Sequence, residues 1–181
     1  MTSVHAVIPS PIGLLTLVAD GGALTAVYME NHKRGPAVES LGAAVVPAGA
    51  PGAVTAGGHD DAGVLLRAQV QLGEYFAGER RDFELPLAPV GNPFRQRVWS
   101  LLREIPYGQT RSYGELARQL GDRNLAQAVG AANARNPLSI IVPCHRVVGA
   151  AGQLTGYAGG LDRKHFLLGL EDARRVQSTL F

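Results

Sequence analysis

The chain has 181 residues, 46% apolar and 18% charged, a balance that supports one large or two small globular domains and excludes an intrinsically disordered chain. A single cysteine excludes an intramolecular disulfide and points to a reducing compartment. There is no basic segment leading into a long apolar stretch, and no run approaches about 18 apolar residues, so an unexported protein that does not enter membranes is expected.

The net charge of +2 is unevenly distributed. Residues 1–90 carry 5 Lys/Arg against 9 Asp/Glu, or −4, and residues 91–181 carry 12 against 6, or +6. A basic C-terminal half suits an anionic partner; chance asymmetry over solvated faces is the plainer alternative.

Val4–Ile8 and Leu14–Ala19 are predicted strands, separated by Pro9, Pro11 and Gly13, and Leu24–Met29 follows the Gly21-Gly22 turn signal. A small antiparallel sheet is the economical arrangement. Gly35 to Asp61 is rich in Gly, Ala, Pro and Val without helical or strand period, and is expected to be a flexible surface loop. Leu65, Ala68, Leu72, Tyr75 and Phe76 recur at helical spacing, with Gly78 as the stop. Residues 82–90, with Pro86 and Pro89, form an extended piece expected to be a linker.

In the second half, Asn92 is a predicted cap for a helix with Pro93 in its first turn and a stripe of Phe94, Val98, Leu101, Leu102 and Ile105, stopped at Pro106-Tyr107-Gly108. Ser112-Tyr113-Gly114-Glu115 fits a capping box that opens a short helix through Gln119. After Gly121 a further helix is expected from about Arg123 to Asn133, giving a helix-turn-helix unit. Leu125, Ala128, Val129 and Ala132 are spaced to face the core, and Ala126, Gln127, Gly130 and Ala131 to lie on another face. Small residues there permit close approach of another backbone. Either the minor groove of DNA or another part of the protein satisfies that pattern.

Ile140, Ile141 and Val142 read as a short buried strand, and Pro143 ends it, so that Cys144 falls at a strand-to-turn junction on the edge of the core. A lone cysteine is most often a small hydrophobe. His145 and Arg146 favour a second reading, in which electropositive surroundings favour a reactive thiolate. Adjacent side chains diverge, so contact between Cys144 and His145 requires a turn or a bridging water. Thr155 to Gly160 suits a flexible loop lying against a flat ligand, and Asp162 to Leu170 resume helical period through Phe166, Leu167 and Leu170. Glu171, on local grounds alone, is an exposed carboxylate at a helix end.

Pro143-Cys144-His145-Arg146-Val147, with Asn136-Pro137 before it and Gly156-Tyr157 and Glu171 after it, resembles the O6-alkylguanine-DNA alkyltransferases. The resemblance runs from about Asn92 to Glu171 and includes Ile105-Pro106-Tyr107-Gly108 and Ser112-Tyr113. It implies an α/β (α+β) chain in two domains. Residues 1–90 would form a small ribonuclease H-like sheet-plus-helix domain, and residues 91–181 a mostly helical, winged-helix-like domain with a helix-turn-helix.

The resemblance further implies stoichiometric, irreversible transfer of the alkyl group of O6-alkylguanine, and of O4-alkylthymine, from double-stranded DNA to Cys144. His145 would take the thiol proton through a water, oriented by Glu171; Tyr113 would bond the flipped base and protonate it as it leaves; Asn136 would hold the turn that presents the thiol. The backbones of Cys144, Val147 and Ala158 would read the guanine edge, with Tyr157 lining the pocket. DNA would lie with its minor groove on Ala126, Gln127, Gly130 and Ala131, with Arg135 nearby. Family members usually place an arginine where this chain has Gln127, so weakened DNA binding or flipping is expected. No cofactor and no zinc are expected, and the protein would be a monomer, able to cooperate along DNA, in the cytoplasm, on the nucleoid or in a nucleus. A damage-sensing protein without transfer activity is the alternative.

Overall fold

The computed structural model describes residues 3–45 and 60–172. It is mixed α and β, the class expected from the sequence, and its contacts divide into two units, residues 1–90 and 91–181.

In the first unit β1 (Val4–Ile8), β2 (Leu15–Asp20) and β3 (Ala23–Met29) form an antiparallel meander. Gly21 and Gly22 have φ of +63° and +80°, the left-handed pair that a tight two-residue hairpin needs. The segment expected to be a structureless loop is partly built: a 3-10 turn at Val38–Ser40 buries Leu41, and β4 (Ala43–Ala44) pairs parallel with β1. The two-residue strand is too short to show a period in the sequence. Residues 46–59 of that segment lie outside the described residues.

Helix α1 (Asp61–Phe76) starts four residues before the first periodic apolar position. Its buried Val64, Leu65, Ala68, Leu72 and Tyr75 lie over β1–β3, and Asp61 Oδ1 accepts the Gly22 N–H at 2.6 Å, tying the helix start to the hairpin. The chain reverses after Ala77 at Gly78, with φ +76°. Residues 84–88 are held to this unit: Gln71 exchanges two hydrogen bonds with the Glu84 backbone, and Leu24 bridges Leu87.

In the second unit the Asn92 side chain caps α2 (Pro93–Arg103) by accepting the Arg95 N–H at 2.9 Å. Both hydrogen bonds of the expected capping box, between Ser112 and Glu115, are present at the start of α3 (Tyr113–Gln119). The second helix of the helix-turn-helix is a 3-10 turn at Arg123–Leu125 running into α4 (Ala126–Ala134). Its buried face is Val129, Ala132 and Asn133, against α2 and α3. Ala128, expected in the core, is exposed, because α4 begins late and the inward stripe is only one turn and a half long. Buried Trp99 donates from Nε1 to Ala132 O, joining α2 to α4.

The expected strand at 140–142 is instead a buried turn. Ile140 has φ +73°, an uncommon conformation for a β-branched residue. The strand comes after the cysteine: β6 (Val147–Val148) pairs parallel with β5 (Arg111–Ser112). Helix α5 (Leu161–Glu171) buries Lys164, Leu167 and Glu171, at three- and four-residue spacing; Phe166, expected inside, is exposed.

Candidate active site

Cys144 opens a 3-10 turn, Cys144–Arg146, whose three residues are all buried. The residue is 4% exposed, so it lies inside the core rather than at its edge. Two features set its backbone. Pro143 lies at φ −80°, ψ 65°, and the Cys144 N–H closes a three-residue turn onto Val142 O at 2.8 Å. Ahead of it, Asn136 Nδ2 donates to Val142 O at 2.8 Å while Asn136 Oδ1 accepts the Leu138 N–H at 3.0 Å. One amide side chain thus closes the whole 136–142 turn. Buried backbone polar groups there have no ladder to join, which is why the turn needs a polar side chain inside it.

The 3-10 geometry separates Cys144 from its neighbours. His145 is fully buried, with Nε2 at 2.8 Å from Glu171 Oε1. Arg146 Nε and Nη2 donate to the two oxygens of Glu171, at 2.8 and 2.9 Å, and Nη1 donates to Ile105 O at 2.7 Å. Glu171 is therefore neither exposed nor free, contrary to the local reading of a helix-end carboxylate. Burial penalises its charge, but hydrogen bonds from His145 and Arg146 outweigh that and bring its pKa down to about 2. Being ionised, it accepts, so the proton of the His145 ring sits on Nε2 and leaves a lone pair on Nδ1. That Nδ1 is buried and has no hydrogen-bond partner among the described residues. Burial also holds the His145 pKa below its ordinary value, against the pull of Glu171. The site contains a neutral imidazole with its basic nitrogen unoccupied.

The electropositive surroundings expected of Cys144 come from a different residue. Arg146 is neutralised by Glu171. The cation that acts on the thiol is Lys164 of α5, fully buried, with Nζ donating to Thr155 O at 2.9 Å. Burial pushes the Cys144 thiol above its ordinary pKa, and hydrogen bonds from Asn136 and Tyr157 and the charge of Lys164 oppose the rise. Sequence reasoning passed over Lys164. Its one signal was its place in α5, at i−3 from Leu167 and i−7 from Glu171, on the helix's inward stripe.

The remaining candidates fall into two groups. Tyr113, the first residue of α3, is half-buried, with its hydroxyl 3.2 Å from Thr155 Oγ1 and its ring against Gly130 of α4. Tyr157 is buried, Ala158 half-buried, and Val147 is buried with its N–H engaged to Cys144 O. Asn133 of α4, also unforeseen, donates from Nδ2 toward Cys144 O at 3.4 Å, linking that helix to the cysteine turn. On α4, Gln127 and Ala131 are exposed while Ala126 and Gly130 are half-buried. Arg135 is exposed and continues the four-residue row of Gln127 and Ala131.

Residues 3–89 match the family described as 6-O-methylguanine DNA methyltransferase, ribonuclease-like domain, and residues 93–173 match its DNA binding domain. The chain is 47% identical over 175 residues to a methylated-DNA–protein-cysteine methyltransferase of Mycolicibacterium paratuberculosis, covering 96% of both chains. It is 44% identical over 168 residues to the protein of that name from Methanosarcina acetivorans, covering 92% of this chain and 97% of the other. The crystal structure of Mycobacterium tuberculosis OGT in complex with DNA superposes with a TM-score of 0.79 at 44% identity, over 94% of each chain. No helix among the described residues is long and apolar enough to cross a membrane. The chain belongs to the 6-O-methylguanine DNA methyltransferase family.

Proposed function

We propose that the protein repairs DNA by moving the alkyl group of O6-alkylguanine, and of O4-alkylthymine, onto Cys144, once per molecule. The observation that carries this reading is the buried Cys144–His145–Glu171 series, in which the ionised carboxylate leaves His145 Nδ1 free as a base. His145 takes the thiol proton through a water. Cys144 Sγ then attacks the alkyl carbon in line, the bond from carbon to O6 breaks, and Tyr113 supplies the proton that guanine needs as it leaves. A thiolate is nucleophilic enough to act without a cofactor, and the thioether product has no hydrolytic exit, so turnover stops after one event.

A buried thiol reaches a base only if that base leaves the helical stack. The small exposed residues of α4, Ala128 and Ala131 beside half-buried Ala126 and Gly130, suit approach through the minor groove, and exposed Arg135 suits a phosphate. Gln127 stands where the family usually places an arginine, and it is shorter and uncharged, which weakens binding or flipping. The chain acts as a monomer, with cooperation along DNA open to it, in a reducing compartment such as the cytoplasm.

Incubation with a duplex carrying O6-methylguanine, followed by intact and peptide mass measurement, tests the proposal. One methyl group on Cys144, lost in Cys144→Ser, is expected. Binding without a mass change would instead identify a damage sensor, and repeated turnover a hydrolase.

A further inference from the structure

The transfer reaction proposed above gives Thr155 no role and Lys164 only its charge on the thiol, yet the two are joined to each other and to Tyr113. Thr155 lies in the loop before Tyr157, and its side chain makes one hydrogen bond, from Oγ1 to Tyr113 Oη at 3.2 Å. Its carbonyl accepts from Nζ of Lys164, which is fully buried on α5. Tyr113 is itself set by the capped first turn of α3, and its ring lies beside Gly130 of α4, 3.7 Å from where a Cβ there would be, an ordinary packing distance. Thr155 therefore joins two rigid helices, α5 and α3, at the phenol oxygen.

A phenol has one proton to give and lone pairs to receive with. When a neighbouring hydroxyl donates to its oxygen, the phenol's own proton is left for another acceptor, and the chain of two hydrogen bonds strengthens both. Threonine suits this task because its branched Cβ restricts χ1, so the hydroxyl direction follows from the backbone. The backbone in turn is held by the buried ammonium.

We propose that Thr155 is a positioning residue for the proton donor: its hydroxyl occupies the Tyr113 oxygen and directs the phenolic proton to the leaving base, while Lys164 anchors the loop that carries it. This rests on the alkyl-transfer reading and adds a residue to it. In proton balance, the Tyr113 proton goes to the departing guanine, and the hydroxyl of Thr155 keeps its own.

The test is single-turnover methyl transfer from an O6-methylguanine duplex to the full-length protein, followed by mass, with Thr155→Val, Thr155→Ala, Thr155→Ser, Tyr113→Phe and the Tyr113→Phe/Thr155→Val double variant. The valine and alanine variants should transfer about tenfold more slowly with unchanged duplex affinity, a part of what a positioned acid contributes. Thr155→Ser should restore the rate to within about twofold, and the double variant should be no slower than Tyr113→Phe alone. A wild-type rate in both Thr155→Val and Thr155→Ala overturns the proposal. So does an equal further loss in the Tyr113→Phe background, which would mark loop packing, or a failure of serine to restore. Wild-type protein that takes up no methyl group would overturn the parent reading, a result distinct from all of these.

Discussion

His145 Nε2 and Glu171 Oε1 lie 2.8 Å apart, with neither side chain more than 1% exposed. The same carboxylate receives two hydrogen bonds from Arg146, so one buried charge serves a neutral imidazole and a guanidinium together. Removing either partner of such an arrangement leaves the other desolvated, a loss of about 3–5 kcal/mol. Glu171→Gln should therefore lower unfolding stability by a few kcal/mol at pH 7, measured by urea denaturation, and slow methyl transfer through loss of the His145 orientation. A variant as stable as the parent would show that the Arg146 charge finds another partner.

Acid should act through the same pair. Glu171 has its carboxyl at about 2, below the ordinary 4.5, so between those values the unfolded chain binds a proton that the folded protein does not. Its contribution is complete above pH 4.5 and disappears as pH falls toward 2. His145 is also held below its ordinary 6.5, so the unfolded chain gains that proton first and the decline starts below about pH 6.5. Stability should thus rise with pH from about 2 to 4.5 through Glu171, and again in the interval just below 6.5 through His145. Unfolding midpoints measured across both intervals should show the two slopes, and Glu171→Gln should flatten the lower one. An unchanged lower slope in the variant would assign it to other carboxylates.

Asn136 makes both side-chain hydrogen bonds of a turn that includes Ile140 at φ +73°. Asn136→Ala leaves the buried Leu138 N–H without that partner, at about 1–3 kcal/mol, and removes one of the two donors to Val142 O, the Cys144 N–H remaining. The expected result is a destabilised protein in which Cys144 reacts more slowly with O6-methylguanine DNA than the fall in folded fraction explains. Circular dichroism melts alongside transfer rates separate the two contributions; equal losses in both would confine Asn136 to stability.

Lys164 offers a test of the thiol that needs no DNA. Its charge opposes the rise that burial imposes on the Cys144 pKa. Lys164→Met keeps the length and apolar stem of the side chain and removes the charge, so less thiolate exists at any given pH. Alkylation of Cys144 by iodoacetamide should slow at neutral pH, and its pH midpoint should move upward. A midpoint that stays put or moves down would show that Asn136 and Tyr157 alone hold the thiolate.

What the sequence revealed follows from the range of the forces involved. The three long strands, the Asn92 cap and the Ser112/Glu115 box are local arrangements, written in adjacent residues, and the structure has them. The run Ile140–Val142 misled because three branched apolar residues suit a buried turn as well as a strand, and Asn136, four residues upstream, decides between them. Ala128 and Phe166 were misplaced for a related reason: in a short helix, one residue of phase turns an inward position outward. Glu171 and Lys164 could not be located by local pattern at all. Their burial depends on partners 25 and 9 residues away.

Gln127, where the proposed function places a substitution for an arginine, is exposed on α4 in a row with Ala131 and Arg135. If this row meets DNA, a cation at its start adds a phosphate contact and releases counterions, steepening the dependence of log K on log salt by up to about 0.9. Gln127→Arg should then bind a duplex more tightly at low salt and transfer methyl groups faster at limiting protein. Arg135→Gln should do the reverse, weakening binding uniformly across sequences and making the salt slope shallower by a similar amount. Fluorescence anisotropy titrations at several salt concentrations read both changes. Chemistry at saturating duplex separates binding from flipping: an arginine that only contacts phosphate leaves the saturated rate unchanged, while one that fills the space of the departed base raises it. No change in affinity, slope or rate with arginine at 127 would move the DNA-contacting face away from this row of α4.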